Sequence, residues 1–357
     1  MVDFGAIIGG SAEWTKQVLF KPFNFKKWMV LAFIAIMAGA MSHGCNLNSG
    51  GNGSHYEQKQ EQQESAERKP GSSAQSCAPS AEETGIIIAV VAVIAVIIIA
   101  VALVLMWLCS RFSFVFLEDV IKNDASIKAP FGANADAGNS FFRFNLVFTA
   151  AFLAILGFLA YLVVAALVRS GLINVSDPTP KQVLEIIMML LPALIIGSIL
   201  FIITGIVALI TVDLVIPIMY KERIRVLAAW GKAWALVKRN AGNLIVYILI
   251  KMGLGIAAGI AYILAFIAGF IIVAIPVALV VLVLWFIQKT VPGIAILPYW
   301  IFFGVVLTPV CLFLLYCLMA LNLPFAVFFR TYSLKFLEKL DPRYALIKTE
   351  KPVAPQQ

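Results

Sequence analysis

Two ionisable side chains stand inside otherwise apolar stretches: Asp213 within 193–219 and Lys251 within 243–287. A charge inside a membrane is costly, so it marks either a pair or a polar site. Asp213 precedes Tyr220 by seven residues, about 10 Å of helix. Lys251 follows Gly242 by nine residues, about 13 Å. The two stretches are consecutive and antiparallel, so the depths match and an Asp213–Lys251 ion pair is expected. Two chemistries fit it. One is structural, either a pair or a lysine snorkelling to the surface; the other is a proton- or ion-coupled site. A second group is Cys45, Cys77, His43 and His55, all in one polar segment. Cys45 and Cys77 are either a disulfide, if the segment faces an oxidising compartment, or two unpaired thiols. The spacing fits no standard zinc pattern, so no metal and no cofactor is expected.

Catalysis has little support. The chain contains no GxSxG, HExxH, P-loop or GxGxxG pattern. Glu118, Asp119, Asp124, Asp177 and Glu185 read as solvated charges at headgroup level, and an enzyme is not expected.

The composition points the same way. Of 357 residues 62% are hydrophobic and 13% charged, against about 25% charged in a soluble domain. That deficit excludes a soluble enzyme, a disordered protein and a nucleic-acid-binding domain. A spanning helix needs about 20 apolar residues. Candidates are 28–42 (short), 85–109, 146–168, 193–219, 243–287 and 299–322. The expected architecture is therefore all-α and polytopic, with six or seven transmembrane helices plus amphipathic interfacial helices. Its parts are 1–42 (interfacial helix and first span), 43–84 (a Gly-, Ser-, Gln- and Glu-rich insert, expected to be disordered), 85–342 (helical membrane domain) and 343–357 (tail). Residues 16–42 also resemble a secretory signal, and Gly44-Cys45 a lipoprotein cleavage site that His43 fits badly. The aromatics Trp14 to Trp28 favour a retained anchor.

Charge sets the expected orientation. Residues 221–242 carry six Lys or Arg against Glu222 alone, the mark of a cytoplasmic loop. Counting back, 43–84 is outside and the N-terminus inside. Counting forward, 243–322 has length for three spans, yet the basic tail wants the inside, which two crossings satisfy. Pro276, Pro292 and Pro298 suggest an irregular or re-entrant stretch over 266–298. Gly255 and Gly259 suggest close helix packing. The 222–239 segment places Leu227, Trp230, Trp234 and Val237 on one face and Arg225, Lys232 and Arg239 on another. That is a headgroup-plane helix. Residues 325–340, with aromatics interleaving Arg330 and Lys335, read the same way. Arg225, Lys232, Arg239 and Arg330 are thus candidate contacts to anionic lipid headgroups.

Five motifs carry a resemblance: LFKPFNFKKW (19–28), SRFSFVFLEDVIKND (110–124), DLVIPIMY (213–220), the AAW-centred basic helix and FFRTYSLKFLEKLDPRY (328–344). Together they resemble an uncharacterised family of prokaryotic multi-pass membrane proteins. That family is distantly similar to the membrane domain found with some glycerophosphodiester phosphodiesterases. The resemblance implies an all-helical, non-catalytic membrane protein and brings no catalytic residues. The expected role is envelope or lipid organisation, or docking of a membrane-protein partner at the inner leaflet, with anionic lipids and no nucleic acid as partners. The alternative is a transporter or channel using Asp213 and Lys251.

Overall fold

The computed structural model describes residues 2–39, 81–170, 179–290 and 296–347. Among them the regular elements are helical: α1 Phe4–Phe20, α2 Phe25–Met37, α3 Ala81–Lys122, α4 Lys128–Ala133, α5 Ala135–Arg169, α6 Pro180–Ile210, a π turn Thr211–Val215, α7 Ile216–Glu222, α8 Val226–Arg239, α9 Ala241–Thr290, α10 Ile296–Ala320, α11 Leu323–Leu340 and a 3₁₀ turn Pro342–Tyr344. Side-chain caps fix several ends. Asp3 and Asn24 accept the Ala6 and Lys27 amides at the starts of α1 and α2. Asn123 and Arg223, both left-handed, follow the ends of α3 and α7.

Five stretches are long and apolar enough to cross a membrane: Ile88–Lys122, Ala135–Arg169, Pro180–Glu222, Ala241–Ile287 and Leu307–Leu340. In the first four, the most apolar stretch contains no buried residue. A Cβ on Gly269 of α9 would lie 2.8 Å from Leu318 Cδ2, so α9 and α10 approach closely there. Gly255 and Gly259, where the GxxxG spacing predicts packing, have open space beside them instead.

Expectation and structure part at two places. The stretch 28–42 holds α2, a 13-residue helix about 20 Å long. Its Leu31, Ala32, Ile34 and Ala35 are buried, and it is not one of the five. It runs antiparallel to the end of α3: Lys27 Nζ donates to Asn123 O (2.9 Å) and Ser113 Oγ to Ala38 O (3.4 Å). The passage from Gly39 to Ala81 lies outside the described residues. Further on, the irregular or re-entrant stretch expected over 266–298 is regular α-helix as far as Thr290. α9 is one 50-residue helix, about 75 Å long, and Pro276 sits inside it without ending it.

At one end the arms converge on a packed hub. It is built from α1, α2, the last turns of α3, α4, the first turns of α5, the π turn, α7, α8, the start of α9, and α11. α1 buries Ile7, Ser11, Trp14, Thr15 and Val18, one face at helical spacing, and Trp14 Nε1 donates to Val120 O (3.0 Å). α11 is a core helix, not an interfacial one: Arg330, Thr331, Tyr332, Ser333, Leu334, Phe336 and Leu337 are all buried. An aromatic-basic alternation fits an interfacial helix and a core helix equally well, and only the neighbours α1 and the π turn decide between them. The hub also gathers the two cation-rich segments at one end, where Tyr344 OH donates to Glu222 Oε1 (2.7 Å).

Candidate functional site

Asp213 lies in the π turn between α6 and α7. A π turn inserts one residue into a helix and redirects the side chains around it. Here it points a carboxylate into the hub, 2% exposed. Asp213 Oδ2 accepts from the Tyr247 hydroxyl (2.9 Å) and forms an ion pair with Lys251 Nζ. Tyr247 and Lys251 sit one turn apart on α9, so both reach the same oxygen. Tyr247 is fully buried, and its ring stacks on Phe336 (4.1 Å between centroids) and Tyr332 (5.0 Å) of α11. Arg330, also on α11, donates from Nη1 to the Val212 carbonyl (2.8 Å) inside the same π turn.

The structure therefore brings Asp213 and Lys251 together and adds Tyr247, Arg330 and Tyr332. For Arg330 the headgroup expectation is corrected. Its side chain is 6% exposed and is held by a backbone carbonyl, because α11 lies in the core. One carboxylate and two cations make a cluster that ties the α6–α7 joint to α9 and α11. It can hold charge and a hydroxyl proton in a dry place. The cavity of about 720 Å³ found between α9 and α10 lies elsewhere and is lined by apolar side chains such as Phe266, Val277 and Leu314.

The other candidates lie apart. Arg225 and Arg239 are exposed on α8, and Lys232 pairs with Glu222. The core face of α8 is Val226, Ala229, Ala233 and Leu236, not the tryptophan face. Leu227 and Trp234 point outward, 75% and 49% exposed. Trp230 packs on Phe144, just where the apolar arm of α5 begins. Glu118 and Asp119 are buried rather than solvated at headgroup level. Glu118 accepts from Asn134 Nδ2 (2.6 Å), and Arg223 bridges back to Asn134 Oδ1 (2.9 Å). Cys45, Cys77, His43, His55 and Asp177 lie outside the described residues. Among the described residues no cluster of three or more His, Cys, Asp or Glu could hold a metal.

At the rim of the hub, Arg343 holds the Asp341 carboxyl below its usual range, and Asp341 caps the last 3₁₀ turn. Burial, with the bond to Glu222, pushes the Tyr344 phenol up to about 12.

Residues 7–347 match the model of a family of unknown function, DUF7544. The chain belongs to that family. Every element of the hub from Ile7 onward, including Asp213, Tyr247, Lys251 and Arg330, falls inside the DUF7544 match. The match carries no link to the membrane domain found with some glycerophosphodiester phosphodiesterases. No curated protein and no solved structure matches the chain.

Proposed function

We propose that this DUF7544 member is a non-enzymatic, multi-pass protein of a prokaryotic inner membrane that organises lipid or docks a partner at the cytoplasmic leaflet. One observation carries the reading: a densely packed hub sits at one end of long, lipid-exposed apolar arms. α8 supplies the contact surface, with Leu227 and Trp234 outward and Arg225 and Arg239 exposed beside them. A helix with that distribution lies in the headgroup plane and prefers anionic lipid. A cytoplasmic hub, with residues 43–84 outside, belongs to this proposal.

A second reading is transport through Asp213 and Lys251. In its favour is the π turn, a feature frequent at functional sites. Against it, Asp213 is sealed by Tyr247, Lys251 and its π turn, and the cavity between α9 and α10 is apolar.

Native mass spectrometry of protein released from mild detergent tests the two readings. Co-purified anionic lipid or a stoichiometric partner, lost on joint neutralisation of Arg225, Lys232 and Arg239, supports the proposal. A bare chain, together with liposome flux abolished by Asp213→Asn, overturns it in favour of transport.

A further inference from the structure

Arg111 differs from the other cations of the hub. Lys122 pairs with Glu118, Lys232 with Glu222, Lys251 with Asp213 and Arg343 with Asp341. Arg223 and Arg330 spend hydrogen bonds on backbone carbonyls. Arg111 has no carboxylate partner among the described residues. Its guanidinium lies in the corner of two rings set edge to face, 4.6 Å from the Trp107 centroid and 4.9 Å from that of Phe131, the centroids themselves 6.2 Å apart.

A neutral amide fixes the fork. Asn139 Oδ1 accepts from Arg111 Nε (3.2 Å), Arg111 Nη2 (3.1 Å) and Trp107 Nε1 (3.1 Å). Gly138, next to it on α5, holds the stem: a Cβ there would come within 2.8 Å of Arg111 Cγ. Guanidinium has five N–H donors. Asn139 takes two, so the Nη1/Nη2 edge keeps three, and the Arg111 side chain is half-buried rather than enclosed. That edge is the one that grips a phosphate or carboxylate bidentately.

Position selects the anion. Arg111 follows by two residues the apolar run that ends at Cys109, and Leu105 one and a half turns earlier is 48% exposed. On the other side Phe112 to Val120 are buried in the hub. The guanidinium therefore stands at the boundary between lipid-facing arm and hub, the depth of a headgroup phosphate, with an indole beside it as at membrane interfaces. We propose that Arg111, set by Trp107, Phe131 and Asn139, is a binding site for the phosphate of an anionic glycerophospholipid headgroup. The site rests on the membrane reading above and gives it a residue outside α8.

The test is lipid retention by native mass spectrometry, titrating phosphatidylglycerol against phosphatidylcholine in detergent. Wild type should keep phosphatidylglycerol preferentially. Arg111→Gln should cut that preference about tenfold, as loss of a charge-assisted pair does. Asn139→Asp should do the same while keeping the fold, because its carboxylate still accepts all three donors but neutralises the guanidinium. Arg169→Gln, at the far end of α5, should keep the wild-type preference; an equal loss there means generic charge and overturns the site. Displacement of the lipid by millimolar inorganic phosphate, binding to wild type but not to Arg111→Gln, assigns the site to free phosphate and overturns the lipid. Equal retention by wild type, Arg111→Gln and Asn139→Asp removes Arg111 alone. No preference in wild type removes the lipid-organising reading as well.

Discussion

Ile216 and Ile218, in the hub, expose no surface, while Ile272, in the arm of α9, is 71% exposed. The arms are the more apolar part of the chain, and they pack least. In water the reverse would hold, because burying apolar area is the main driving force. In lipid there is no such drive between helices, since acyl chains are as apolar as leucine. What sets the hub apart is its polar groups that lipid cannot satisfy, Asp213 and Lys251, Arg330 on a backbone carbonyl and Glu118 with Asn134, held among buried apolar and aromatic side chains such as Tyr247, Tyr332 and Phe336.

The largest effects should come from the hub's charges. Asp213→Asn and Lys251→Met should each cost about 3–5 kcal/mol, and the double replacement less than their sum. Thermal unfolding in detergent measures the cycle; additive losses would mean that the pair contributes nothing as a pair. Next, Phe336→Ala should cost about 3–5 kcal/mol by emptying the stack. Ile272→Ala should stay within about 0.5 kcal/mol, since its side chain is 71% exposed. Similar losses at the two positions would erase the distinction between hub and arm.

Two glycines on α5 sharpen the boundary. Gly138→Ala should cost about 1–3 kcal/mol, because its Cβ would press on Arg111 Cγ at 2.8 Å and Cα at 3.2 Å. Gly157→Ala, with open space around it, should stabilise the helix by about 0.5–1 kcal/mol. The smallest effect concerns the rim. Asp341 is held below its usual range, so its contribution is complete above the unfolded value near pH 4 and lost as pH falls through the folded value. Asp341→Ala should cost about 1 kcal/mol at pH 7. That cost should shrink in acid, followed by unfolding midpoints between pH 7 and pH 3.

The Asp213–Lys251 partnership is legible in the sequence because two opposite charges at matched depths on consecutive helices have few other places to go. Tyr247 could have been added, one turn before Lys251 and on the same face. Arg330 could not: FFRTYSLKFLEKL has the same pattern whether it lies on a membrane or inside a hub. The tryptophan face of α8 is legible, but not that a stripe of small residues, Ala229 and Ala233, makes the buried face. Arg111 and Trp107 stand four apart and meet by helix geometry. Phe131 and Asn139 join them only through the fold of α4 and α5 against α3.

Hydropathy by itself determines that this chain is helical and membrane-bound, because backbone groups in lipid must be satisfied within each segment. It determines where the apolar arms run, since their length and composition need no partner. It does not determine which helices leave the lipid. α2 and α11 are placed in the hub, α9 runs on through Pro276, and Arg330 is buried, because each outcome depends on hydrogen-bond partners and ring contacts from distant segments. Those contacts exist only once the tertiary structure has brought the segments together.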